Sequence, residues 1–225
     1  MERQRLDIAF VSDVACPWCA IGLASLDQAL ARLGDDVEVT IRMEPFELNP
    51  DMGPEGAEVV PYLARKYGRT PEQAAAGADM MAERAREAGF PFDYTGDGAP
   101  PASMLWNTFE AHKLLRWALA EFGPERQTRL KLALFRAHFQ QRRRIGDRAV
   151  LLDVAEEAGL DRAGAQAALD DPSLGETVRA EERQAWEMNI SGVPAMIFDG
   201  KFLVPGAQGP ETYADVLRKV VARRG

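Results

Sequence analysis

The run Cys16-Pro17-Trp18-Cys19 constrains this chain more than any other feature. It holds the only two cysteines, and it directly follows a strand-like segment. Two thiols at this spacing have three readings: a dithiol redox centre, half of a zinc site, or coincidence. Redox exchange needs one attacking thiolate and a second thiol near enough to resolve a mixed disulfide. A two-residue spacer at the start of a helix provides both. The free amides and dipole of a first helical turn favour negative sulfur at the first cysteine. Pro17 suits that turn, where its missing N–H has no helical acceptor.

The flanking pattern supplies the frame. Leu6-Asp7-Ile8-Ala9-Phe10-Val11 reads as a buried strand, and residues 16 to about 33 as a helix with Ile21, Leu23, Leu26, Leu30 and Leu33 on one face, ended by Gly34. Val37-Glu38-Val39-Thr40-Ile41-Arg42-Met43 alternates as a half-buried strand does. Residues 44–61 are rich in proline and glycine. The pattern then turns helical, with helices expected at about 59–67, 71–88, 104–122, 125–141, 147–158, 162–169 and 174–189. Asp147 and Asp161 suit N-caps, and Pro71 and Pro124 suit first turns. Arg142-Arg143-Arg144 reads as a solvated helix end. Late strands are expected at 195–198 and 201–204, around a two-residue Asp199-Gly200 hairpin turn, followed by a helix at 211–221.

The order is βαβ, a long helical block, then ββα. Removing the block leaves a thioredoxin-like α/β frame, so 1–50 with 190–225 read as one domain and 51–189 as an inserted helical domain. A chain of 225 residues buries enough core to need no disulfide or metal staple, which leaves both cysteines free for chemistry. The net charge of −8 argues against general nucleic-acid binding. No stretch approaches a membrane span and no apolar signal segment opens the chain, so the expected location is the cytoplasm, where thiols are mostly reduced.

Gly192-Val193-Pro194 lies just before the first late strand, a position that sheets tolerate for proline. Taken with the cysteine pair, it makes the chain resemble DsbA-type members of the thioredoxin superfamily, and within them the FrnE-like branch. The residues that carry this are Cys16 to Cys19 with Ile21-Gly22, Pro45-Phe46-Glu47-Leu48-Asn49-Pro50, Asn107-Thr108 with Ala111-His112-Lys113-Leu114, Gly192-Val193-Pro194 and Gly206-Ala207-Gln208. The resemblance implies a thioredoxin-like fold with a large α-helical insertion, a cis Pro194 facing the cysteines, Cys16 as exposed nucleophile and Cys19 as buried resolving thiol. It implies that Pro17, Trp18 and Val193 meet the substrate, with Val193 offering its backbone to an extended segment. Ala20 departs from the aromatic residue frequent after the second cysteine in the family. Trp18 cannot act as the charged spacer that a histidine would be, so a less oxidising centre is expected.

The implied activity is thiol–disulfide oxidoreductase or isomerase, on a protein or small-molecule substrate carrying a disulfide or thiol. No tightly bound cofactor is implied, and glutathione stays open as a co-substrate. Two other readings remain: a glutathione-dependent isomerase or transferase, as in 2-hydroxychromene-2-carboxylate isomerases (which usually carry serine where this chain has Cys16), and a chaperone-like binding module. A homodimer is allowed, though no heptad seam specifies one. No metal site is expected, because nothing in the spacing joins the cysteines to His112 and His138. Phe46, Trp106 and Asn107 are candidate cleft residues; core packing is the ordinary reading of Trp106, with Phe109 and Trp117 at near-helical spacing. His112 reads as an ordinary helix residue or a cleft-lining one, and Asp13 as a loop residue or a proton-transfer group.

Overall fold

The computed structural model describes residues 4–32 and 37–223. β1 (Gln4–Ser12) runs into α1 (Pro17–Leu30) and returns as β2 (Val37–Pro45), parallel to β1 with Phe10 beside Met43. Gly34 and Leu33, expected to close the first helix, lie outside the described residues. Between β2 and the late strands come β3 (Ala57–Glu58), α2 (Val59–Tyr67), α3 (Pro71–Glu87), β4 (Met104–Leu105), α4 (Phe109–Phe122), α5 (Pro124–Phe135), α6 (Arg148–Glu157), α7 (Arg162–Asp170) and α8 (Pro172–Glu187). β5 (Ala195–Phe198), β6 (Phe202–Pro205) and α9 (Pro210–Ala222) close the chain. The main sheet has the order β2-β1-β5-β6, with β5 antiparallel to β1 and β6 antiparallel to β5. This is an α/β thioredoxin-like fold carrying a large α-helical insertion.

Local chemistry sets most boundaries. Asp147 accepts from the Ala149 and Val150 amides, and Asp161 accepts from Gly164, so α6 and α7 start at capped ends. Thr70 and Gln73 form a reciprocal capping box ahead of Pro71.

Four expectations are corrected. The helix expected from 104 starts at Phe109, because Met104–Leu105 pairs with Ala57–Glu58 and the Asn107 side chain accepts from the Phe109 amide. The helix expected at 125–141 is α-helical only to Phe135 and continues as a π-helical turn, Arg136–Gln140. The arginine run is not a solvated helix end. Arg142 adopts a left-handed φ of 54°, Arg143 pairs with Asp153 and Glu157, and Arg144 lies over the Trp106 ring. The late hairpin has a three-residue loop, since Phe198 pairs with Phe202. Asp199 and Gly200 both take positive φ, and the Lys201 amide donates to the Phe198 carbonyl at 3.0 Å.

Two larger apolar cores form among the described residues. One lies between the sheet, α1 and α9, built on Leu6, Ile8, Phe10, Leu26, Met196, Phe198 and Leu217, and it takes in both cysteines. The other lies among α4 to α7, and Val14 from the β1–α1 loop is buried inside it. Gln127 of α5 clamps the free edge of β2. Its amide nitrogen donates to the Met43 carbonyl at 2.8 Å and its oxygen accepts from the Met43 amide at 2.8 Å. Gln127→Met fills the space but leaves both Met43 groups dry and unpaired. It should lower stability by about 2–4 kcal/mol in urea unfolding; an unchanged midpoint would show that the clamp is not energetically significant.

Candidate active site

The β1–α1 loop is tied down before it reaches the cysteines. Asp13 is buried, and its carboxylate accepts from Ala15 N at 3.2 Å and Leu48 N at 2.8 Å. His112 Nε2 of α4 lies 3.7 Å from Asp13 Oδ1, an ion-pair distance rather than a hydrogen bond. Burial pushes the Asp13 carboxyl up, but His112 and the Leu48 and Ala15 amides outweigh it, so it lies below its ordinary value. The Asp13 carbonyl accepts from Cys16 N at 3.2 Å.

Cys16 is the N-cap of α1, and the Cys19 and Ala20 amides donate to its carbonyl at 3.1 and 3.3 Å. Pro17 occupies the first helical turn. Both thiols are free. The Cys16 side chain makes no cap hydrogen bond; its thiol faces the Val193 carbonyl at 3.7 Å. Cys16 is only 2% exposed, so the expectation of an exposed nucleophile is corrected: the sulfur points at the Val193 carbonyl rather than into solvent. Cys19 is fully buried, and burial pushes its thiol well up, with the hydrogen bond and charge of Cys16 adding to the effect.

Val193 is half-buried, Pro194 is buried, and the peptide between them is cis. The Pro194 carbonyl accepts from Gly206 N at 2.8 Å. A side chain at Gly22 would sit 3.4 Å from Pro194 Cγ and 3.6 Å from Ala207 Cα, so three separated motifs converge against the start of α1. Trp18 is half-buried, between the sheet core and a small cluster of Ile21, Ala85 and Ala88.

The other candidates are placed differently. Phe46 is buried with Val11, Ile190 and Ala195, packs with Val193, and stacks at a tilt on Trp186 with centroids 5.3 Å apart. It supports the Val193 loop from within. Trp106 packs on the helical core beside Gly56 and under Arg144. Asn107 donates to the Pro50 carbonyl at 3.3 Å and fastens the loop after β2 to the start of α4. Among the described residues, no group of three or more His, Cys, Asp or Glu side chains is placed to hold a metal ion.

Sequence reasoning missed several buried polar and ionisable groups. Gln127, Lys131 and His138 are buried on the same face as Leu130, Leu134 and Phe135, and their spacing within that apolar stripe was the available signal. Burial lowers His138 to about 4. Glu47, next to Phe46, shares with Glu182 the guanidinium of Arg179, which lies over the Phe109 ring at 4.1 Å. Burial, then the charge of Glu182, raises Glu47 to about 7 against the pull of Arg179.

A DSBA-like thioredoxin domain is matched over residues 7–218. The chain is 31% identical over 209 residues to YwbO, an uncharacterized protein of Bacillus subtilis (strain 168), with 92% of each covered. A probable DsbA oxidoreductase from Streptomyces coelicolor superposes with a TM-score of 0.84 at 33% identity, covering 98% of this chain and 92% of that one. The fold is shared with the cytosolic disulfide reductase DsbM of Pseudomonas aeruginosa, solved with glutathione, at a TM-score of 0.61 and 21% identity over 96% of this chain and 99% of that one.

A carboxyl raised by folding favours the folded state while protonated. The Glu47 contribution is complete below its ordinary value of 4.5 and is lost as pH rises through about 7. Glu47→Gln should therefore flatten the fall in stability across that interval, read as urea midpoints at several pH values. An unchanged slope would remove Glu47 as its source.

Proposed function

We propose that this chain, which belongs to the DSBA-like thioredoxin domain family, is a cytoplasmic, FrnE-like thiol–disulfide oxidoreductase or isomerase working through Cys16 and Cys19. The observation that carries the reading is the pair of free thiols, one capping α1 and facing the Val193 carbonyl, the other buried a turn further on. Cys16 thiolate attacks a substrate disulfide, forms the mixed disulfide and releases one substrate thiolate. Cys19 then attacks Cys16 and releases the second. The substrate gains two electrons and the cysteine pair loses them. Run backwards, the same steps oxidise a dithiol; attack by a different substrate thiol on the mixed disulfide before resolution gives isomerisation and returns Cys16 as thiolate.

A protein substrate fits the surroundings. Trp186 and Met188 are 55% and 45% exposed, and they follow Ala185 and precede Ile190 in the cluster that packs with Val193. We assign residues 51–189 the role of an inserted domain that selects substrate. Glutathione is the proposed co-substrate, on the strength of the shared fold with the reductase solved with it. No helix among the described residues is long and apolar enough to cross a membrane.

Thiol trapping across graded glutathione buffers tests the reading. A reversible Cys16–Cys19 disulfide with a defined midpoint is expected, and its value assigns the direction. Cys16→Ser should reduce insulin no faster than buffer, while Cys19→Ser should accumulate mixed disulfides. A stable glutathione adduct at Cys16 with no intramolecular disulfide would defeat the dithiol mechanism and favour a glutathione-dependent isomerase.

A further inference from the structure

Lys131 is fully buried in α5, and among the described residues its amine has no hydrogen-bond partner. Such a group is costly to fold around, because a desolvated ammonium loses its hydration without replacement. Its position is nevertheless fixed. It lies one turn after Gln127, whose side chain is clamped to Met43, so both project from one face of α5. Its amine stands 5.1 Å from the centre of the Phe135 ring, and Phe135 packs in the same core as Cys16 and Cys19.

We propose that Lys131 is the counter-cation of Cys19, stabilising the thiolate that resolves the mixed disulfide. The inference rests on the dithiol reading above. Lys131 acts through Cys19 and is a positioning residue. In the resolving step Cys19 loses its thiol proton to water, and its sulfur bonds to Cys16 Sγ. The bond from Cys16 to the substrate sulfur breaks, and the electron pair leaves on that sulfur, which takes a proton from water. The two cysteines are oxidised to a disulfide and the substrate half is reduced to a thiol. A fully buried sulfur has no solvent to stabilise its negative charge, so a fixed cation nearby does so instead.

The electrostatics agree with this placement. Burial lowers the Lys131 amine to about 8, and the charges of Cys19, Asp13 and Cys16 resist that shift, Cys19 most. The charge of Lys131 in turn pulls Cys19 down against its burial. The remaining ionisable groups nearby are engaged elsewhere or reach Lys131 through Asp13. His112 of α4 lies at the Asp13 carboxylate, and His138 of the π-helical turn feels Asp13 and Arg142. Glu44 of β2 pairs with Arg42, and Asp153 and Glu157 of α6 pair with Arg143.

Reaction with 5,5′-dithiobis(2-nitrobenzoate) separates the steps. The first released thiolate reports attack by Cys16, and the second reports resolution by Cys19. Lys131→Met should slow the second phase roughly tenfold near neutral pH, since a lost counter-charge lowers the thiolate fraction while raising its nucleophilicity. The first phase should change less than the second, because Cys19 acts on Lys131 more strongly than Cys16 does, and the variant should approach the unmodified protein as rising pH ionises Cys19 unaided. A second phase with unchanged rate and pH profile would overturn the proposal alone. Absence of a second phase in the unmodified protein would overturn it together with the dithiol reading. If Lys131→Met does not fold, the pH profile of the second phase in the unmodified protein decides. A break at about 8, where Lys131 loses its charge, is expected on top of the rise from Cys19 ionisation, and a profile set by Cys19 ionisation alone would overturn the proposal.

Discussion

Antiparallel pairing of β5 on β1, with Ala195 opposite Val11, is the constraint on which the rest depends. It brings the run after β1 and the run before β5 to one end of the sheet, although the sequence separates Cys16 from Val193 by 177 residues. Register holds this alignment. Ile8, Phe10, Met196 and Phe198 are all buried, and a slip of one residue would turn each to the wrong face. At about 1.5–3 kcal/mol for each large apolar side chain, that penalty exceeds what any single loop contact contributes. The thiol-to-carbonyl contact of Cys16 and Val193 is thus a consequence of sheet packing and needs no strong interaction of its own.

The helical insertion holds this end of the sheet from the other side. Val14 is buried in the helical core while Cys16, two residues later, belongs to the sheet core. The loop that presents the nucleophile therefore spans both. Asp13 ties together its own loop through Ala15, the loop after β2 through Leu48, and α4 through His112. Glu47 and Arg179 tie the same loop after β2 to α8. Polar contacts in such dry surroundings are individually strong and intolerant of loss, which suits a site that must hold two sulfurs in fixed relation.

The frame was legible in the sequence because its signals are local. Strand alternation, the first-turn proline, the aspartate caps and the Asp199-Gly200 turn each act within a few residues. The errors arose where distant partners decide. Met104–Leu105 is a strand only because Ala57–Glu58 lies beside it. The arginine run faces the Asp153 and Glu157 carboxylates and the Trp106 ring, none of them near in sequence. The two cysteines and Pro194 could be read as a site, because residue type and motif order mark them. The burial of Cys16 could not, since nothing local indicates that it faces a carbonyl instead of solvent.

Lys131 illustrates a different kind of illegibility. A lysine between Leu130 and Leu134 in a charged helix reads as a solvated side chain, and only the packing of α5 on β2 turns it inward. Protein cores normally exclude such a group, and replacing a buried charge by an apolar side chain of similar volume is often neutral or stabilising. Packing alone therefore gives no reason for an amine here. The neighbouring groups do: Asp13 supplies negative charge permanently, and Cys19 supplies it only as the thiolate. A cation between a fixed anion and an intermittent one costs least when the second anion is present. The insertion, through the face of α5 that Gln127 fixes, thus favours the charge state of Cys19 in which exchange proceeds.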